Sequence, residues 1–395
     1  MSDPRGRRSS APRRTLAGVA LAAVAAAASA APYIPENDAV VLERVPARSA
    51  LERLAPLRAA VAAHPHDLAA ALALAQGFID IGRREGDPRF VAYAEPVLEP
   101  WLAGTQPPER ALVLQATALQ YLHQFGAALA LLQRALALQP LDGQAWLTRA
   151  ALLELRGDYP EARRACARLT RSADALVALT CLASVGSRSG ALAANYDRLR
   201  PLAASTTQLP APLRSWVLTV LADMAERLGD PAAAQQALEA ALTSTPEDPY
   251  VRATYADLLI DRGRAAEVVP LLAGMKAQDA LLLRLAIAGK RAAHPDAARW
   301  AALYAARVQA ARRDGDVTHL REQALFFLDV ADEPRAALAA ATANFAQQRE
   351  PIDVRLYLRA AQRAGSEPDR TAIAGWIAAR RYEDRTLPAA AAAAG

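Results

Sequence analysis

The stretch QATALQYLHQFGAALALLQRALALQP (115–140) and the stretch RAALLELRGDYPEARRACARL (149–169) carry one pattern shifted by 34 residues. The shift lays Ala116 on Ala150, Leu119 on Leu153, Phe125 on Tyr159, Ala128 on Ala162 and Leu132 on Cys166. A second pair keeps the same period. LADMAERLGDPAAAQQALEAALTSTP (221–246) and YADLLIDRGRAAEVVPLLAGM (255–275) align Ala222 with Ala256, Gly229 with Gly263 and Leu238 with Leu272. Two independent pairs with one period define an internal repeat, the signature of stacked supersecondary units.

Each unit reads as a helical hairpin. Apolar residues recur at helical spacing, then Gly ends the first helix, because Gly enters the left-handed region without strain. Asp follows as an N-cap and Pro as the first residue of the second helix. Gly86-Asp87-Pro88 and Gly229-Asp230-Pro231 spell this turn in full, and Gly157-Asp158-Tyr159-Pro160 and Ser366-Glu367-Pro368 are variants. Ala116, Ala150, Ala222 and Ala256 fall where two helices cross, and Pro140, Pro246 and Pro351 are read as closing the second helix.

These places match those of the tetratricopeptide repeat, whose 34-residue units the chain resembles over 109–174 and 215–280. The pattern is degenerate over 49–104, 175–214 and 281–384. The resemblance implies an all-α fold, a right-handed superhelical solenoid of helix–turn–helix hairpins whose first helices line a concave groove. No hairpin buries its apolar face alone, so neighbours complete the core. The spacing predicts about nine hairpins between residues 49 and 384.

The surroundings fit this scheme. Hydrophobic residues make up 53% of the 395 residues but aromatics only 5%, so the core rests on Ala, Leu and Val. Period-two runs of β-branched residues are nearly absent, which argues against sheets. The expected organisation is a signal peptide (1–30), an extended arm (31–48), an N-terminal array (49–200), a Pro/Ser/Thr-rich loop (201–213), a C-terminal array (214–384) and a flexible tail (385–395). The leader reading rests on Arg5, Arg7, Arg8, Arg13 and Arg14, the uncharged run 15–28 and the Ala28-Ser29-Ala30 site. It predicts a periplasmic or secreted protein, with membrane contact only if the leader stays uncleaved. Cleavage would also reduce the net charge from +5 to +1, removing the basic excess that a nucleic-acid surface needs.

No catalytic constellation is legible, so the chain is expected not to be an enzyme and to need no cofactor or metal. His64-Pro65-His66 sits where a hairpin turns, and Asp314-Gly315-Asp316 lacks the closing Glu of a calcium loop. Exported lytic transglycosylases also carry helical superhelices, but beside a separate lysozyme-like domain that has no counterpart here. Cys166 and Cys181 fall on successive helices. If those helices run antiparallel about a turn near 173–174, the two stand opposite each other, as a disulfide or as two small buried residues.

The repeat register brings Tyr121, Glu154, Trp216, Asp223, Glu226, Tyr250, Asp257 and Asp261 to the groove. Trp216 and Tyr250 are expected to anchor a protein or peptide partner, and the carboxylates to favour a basic one. Some members of the family grip C-terminal carboxylates with Lys and Asn. Here the corresponding faces carry Val113, Thr117, Leu147, Ala151, Thr219, Asp223, Ala253 and Asp257, so that clamp is missing. The leading expectation is a protein-binding scaffold of the bacterial envelope. The alternative is a membrane-anchored accessory subunit of a secretion, polysaccharide or transport assembly.

Overall fold

Helices with one apolar stripe and no sheet partner must bury that stripe against each other. The computed structural model describes residues 49–275, 278–313, 315 and 318–388, and every regular element among them is helical. In chain order these are α1 (Ser49–Glu52), α2 (Ala55–Ala63), α3 (Leu68–Glu85), α4 (Pro88–Ala92), α5 (Ala94–Leu102), α6 (Glu109–Tyr121) and α7 (Phe125–Leu138). Next come α8 (Gly143–Leu155), α9 (Tyr159–Leu169), α10 (Ala175–Ser187), α11 (Leu192–Leu199), a 3-10 helix (Arg200–Gln208), α12 (Ala211–Arg227), α13 (Pro231–Ser244) and α14 (Pro249–Asp261). The chain continues as α15 (Ala265–Leu272), α16 (Asp279–Arg291), α17 (Ala297–Arg313) and α18 (Leu320–Leu325), which runs into a π-turn (Phe326–Val330). It closes with α19 (Pro334–Gln347), α20 (Pro351–Ala364) and α21 (Glu367–Arg380).

Consecutive helices pack in pairs, from α3 with α4–α5 to α20 with α21, giving nine hairpins among the described residues. The result is an all-α solenoid with a core that passes from hairpin to hairpin. The crossing alanines Ala116, Ala150, Ala222 and Ala256 are at most 2% exposed, which lets the backbones approach. Gly229 stops α12 with φ 80°, and Asp230 accepts the amide of Ala233 at 3.0 Å to start α13. The second helix of the first hairpin breaks between α4 and α5. Pro96 lacks the amide that would reach the carbonyl of Ala92, and its ring crowds that carbonyl.

Three local expectations are revised. Pro351 does not close α19; it opens α20, with Glu350 and Asp353 forming a reciprocal capping box. The segment 201–213 is no plain loop, because 3-10 turns carry it to Gln208 and α12 begins at Ala211. Residues 385–388 fold back on the solenoid, with Leu387 buried and the Arg385 amide donating to the Arg227 carbonyl at 2.8 Å. The leader and arm, residues 1–48, lie outside the described residues.

The solenoid also touches itself across distant repeats. The Arg349 amide donates to the Leu155 carbonyl at 2.7 Å, and the Arg349 guanidinium bonds the carbonyl of Arg156. The Gln278 amide side chain donates to the Arg84 carbonyl at 3.1 Å. These acceptors are the last carbonyls of α3 and α8, which no residue of their own helix can satisfy. Gly157 is needed twice there: its φ is 74°, and a Cβ would sit 2.9 Å from Cδ of Arg349.

Cys166 on α9 and Cys181 on α10 are joined as a disulfide with Cα atoms 5.5 Å apart, both buried in the core of their hairpins. Replacing both by Ala should lower stability by about 3 kcal/mol, the loop-closure effect for a bridge of this span. Urea unfolding of the variant against the oxidised protein measures it, and reductant should shift only the latter.

Candidate functional site

The first helices of the hairpins turn their inner faces toward one another, and the space between them is a channel. At one mouth Tyr121, Trp216 and Tyr250 stand with Pro212, Pro246 and Pro249. Tyr121, Arg83, Pro249 and Tyr250 also border the next space, a chamber of about 350 Å³. Asp223, Glu226 and Asp257 line this chamber from α12 and α14. Asp261 stands with Glu226 at the far mouth, beside Arg355, Arg359 and Arg385. Seven of the eight residues expected in the groove therefore meet in one channel. Glu154 stands apart: its carboxylate takes the Ser184 hydroxyl at 2.6 Å and pairs with Arg188 at 2.9 Å.

Tyr250 is 57% exposed, an unusual state for an aromatic on the inside of a fold. Its exposure is to the channel, and the surrounding protein, with Glu350 nearby, pushes its hydroxyl well above the usual tyrosine range. Burial raises Tyr121 in the same way.

The carboxylates are not free. Arg284 from α16 grips Asp257 with two bonds of 3.0 and 2.8 Å. Arg227 holds Asp223 at 2.8 Å and is itself fully buried. Arg321 binds Asp353 at 2.6 Å and Glu350 at 2.5 Å, and Arg355 lies 3.4 Å from Glu226 and 3.3 Å from Asp384. Burial alone would raise Asp223, but Arg227 and Arg188 outweigh it and hold the carboxyl below its ordinary value. Glu322 behaves likewise between Arg321 and Arg284. Glu226 goes the other way. Burial lifts it to about 7, because Asp223, Asp261 and Asp384 oppose its charge and Arg355 compensates only in part.

Each carboxylate on the chamber lining has an arginine partner, and three of these partners, Arg89, Arg227 and Arg307, reach in from outside the lining. Asp87, Asp223, Glu226, Asp257, Asp279, Glu322 and Glu350 line the chamber against Arg83, Arg284, Arg321 and Arg355. Five of these eleven, Arg284, Arg321, Glu322, Glu350 and Arg355, lie within 281–384, where the degenerate repeat hid the register. The Asp223–Arg227 pair, by contrast, was readable as an i,i+4 spacing on one helix. No group of three or more metal-ligating side chains occurs among the described residues. His64 and His66 are exposed at the end of α2, and Asp314 and Asp316 lie outside the described residues.

The nested hairpins and inward-facing channel define a helical-repeat protein. Residues 188–289, from the end of α10 through most of α16, match the family model described as Tetratricopeptide repeat. The 34-residue pair at 115–169 lies outside that match and keeps the same period, so the chain holds tetratricopeptide repeats over 188–289 and resembles them on the N-terminal side as well. Among solved structures it is similar to the human IFIT1 dimer with m7Gppp-AAAA, at 12% identity and TM-score 0.40, over 83% of this chain and 86% of that one. It is also similar to the P58(IPK) TPR domain, at 15% identity and TM-score 0.20, over 80% and 99%. At these scores neither assigns a ligand to this chain. No curated protein matches it by sequence.

The titration of Glu226 has a defined sign. Its folded value, about 7, lies above the ordinary 4.5, so the folded state holds the proton more tightly. Stability from this group is full below pH 4.5 and is lost as the pH rises through 7. Glu226→Gln should remove that loss. From pH 5 to pH 8 the variant should gain on the unsubstituted chain by on the order of 2 kcal/mol, read from paired urea titrations.

Proposed function

We propose that this protein is a non-catalytic scaffold of the bacterial cell envelope that holds an extended segment of a protein partner in its inner channel. The observation that carries the reading is the exposed ring of Tyr250 beside Trp216 and Tyr121, on a wall that opens into a chamber lined with carboxylates. Large aromatics that face open space supply contact area at small entropic cost, and they are favoured anchors for partner segments. The carboxylates on the chamber lining, Glu226 above all with its partner Arg355 at 3.4 Å, favour a segment with a basic residue next to its apolar one. A chamber of about 350 Å³ suits a few side chains rather than a folded domain.

The envelope assignment is supported by the leader pattern of residues 1–30 and by the Cys166–Cys181 bond, since disulfides persist in oxidising compartments. The Arg-over-Lys bias and the alanine richness point to a high-GC bacterium. The near-balance of charge beyond the leader argues against a nucleic-acid partner.

Two measurements test the proposal. A photo-crosslinking amino acid in place of Tyr250 should capture a partner in the producing cell. Trp216→Ala in the same background should cut recovery about tenfold, equivalent to an anchor of roughly 1.4 kcal/mol. Undiminished recovery would count against the channel as the binding site. Edman sequencing of the protein from the periplasmic fraction should begin at Ala31; a chain that retains Met1 in the cytoplasm would refute the envelope assignment.

A further inference from the structure

Beyond the end of α21 the chain has no helix to hold it, yet residues 382–387 are well placed. They lie across the end of α12 and the start of α11, elements more than 150 residues earlier in sequence. The Arg385 amide donates to the Arg227 carbonyl at 2.8 Å, and its guanidinium donates to the Leu228 carbonyl at 3.2 Å. Glu383 accepts the Leu192 amide at 3.1 Å, at the start of α11. The Glu383 carbonyl takes a bond from Arg227 at 3.4 Å. Three of these four contacts use a main-chain group that a helix end leaves over, and the fourth is donated by the Arg227 guanidinium. This is how an extended peptide is bound, not how a loop closes.

The side chains add selectivity. Tyr382 is 5% exposed, with the Arg227 guanidinium over its ring and Trp376 at its edge. The Asp384 carboxylate, fully buried, meets Arg355 at 3.3 Å. Leu387 enters the apolar core. We propose that the end of α12 and the start of α11 form a docking surface for an extended segment of aromatic–acid–acid–arginine order. The chain's own residues 382–387 fill it here, and an external segment of the same chemistry takes their place.

The self-contact is incomplete in two ways. The Tyr382 hydroxyl is buried with no hydrogen-bond partner. Arg381, the joint between α21 and the segment, holds φ 50°, a conformation that a residue with a Cβ adopts at a cost. The second is relieved when a segment that is not joined to α21 takes the site. Displacement also has a consequence for the channel. Arg385, Thr386, Leu387 and Pro388 wall its far mouth together with Glu226 and Asp261. An exchanged segment would therefore open the channel from that end.

The docking surface stands apart from the partner proposed for the channel, and only the opening of the mouth depends on that proposal. A fluorescent peptide with the sequence of residues 381–388 serves as the probe. The intact chain should bind it weakly, because the site is filled. A chain ending at Arg380 should bind it at least about tenfold more tightly, and a peptide with Lys at both acidic positions should not bind. Truncation removes Tyr382 and Leu387 from the core, so a full-length Asp384→Lys variant is the second arm. Repulsion from Arg355 should release the segment, speed amide exchange over 382–387 about tenfold and expose the site to the same peptide. Failure of the Asp384→Lys chain to bind the peptide overturns the inference, whatever the truncated chain does. If Tyr250 crosslinking still yields a partner in that case, the channel reading survives by itself.

Discussion

The inner face of this solenoid depends on one buried guanidinium. Arg227 ends α12 without any exposure to solvent. It binds Asp223 one turn back on its own helix, the carbonyl and hydroxyl of Ser187 at the end of α10, and the carbonyl of Glu383 in the C-terminal segment. A charge without water must be matched by acceptors, and the planar fork of arginine can meet several at once. Two neighbouring hairpins and the end of the chain are thus fixed to one atom group. The position at a helix C-terminus adds favourable interaction with the helix dipole.

The same logic recurs along the channel. Arg284 and Arg355 reach back to Asp257 and Glu226 on earlier helices, and Arg321 reaches forward to Asp353 on α20. The groove of an open repeat array is a solvated surface with independent charges. Here the charges neutralise each other across the space, and what a visitor meets is the residue of that balance. Carboxylates line the chamber at Asp223, Glu226, Asp257 and Glu322, and the aromatic mouth carries Asp80, Glu247 and Asp248 beside Arg83 and Arg84. Affinity for a basic group would come from Glu226, which Arg355 compensates only in part, not from a continuous acidic face.

Much of this was legible in the sequence, and the limits have physical causes. Period, turn chemistry and crossing alanines are local properties, so Gly229, Asp230 and Pro231 announced their turn, and Tyr121, Trp216 and Tyr250 their inward face. The arginines that meet the groove carboxylates were harder to see. Arg284, Arg321 and Arg355 lie in repeats without signature residues, and their partners are set by how far the superhelix curls, which no local pattern encodes. Glu154 shows the other limit. Its register is inward, but Arg188 and Ser184 on the next first helix cover it. The tail was read as loose because Thr386 to Gly395 is small and alanine-rich, yet Arg385 and Leu387 find main-chain acceptors and core that only the folded array provides.

Repeat arrays usually evolve by duplication, because a gained or lost unit only lengthens or shortens the stack. The hydrogen bond from Arg349 to Leu155 forbids that freedom here. It joins two units whose separation is set by the number of hairpins between them, and Arg385 on Arg227 imposes the same condition on the next stretch. Inserting one 34-residue unit between these points would carry both donors away from their acceptors. Copy number in the second half of the chain is therefore a fixed quantity, and the lineage of this protein should vary by substitution within units rather than by their gain or loss.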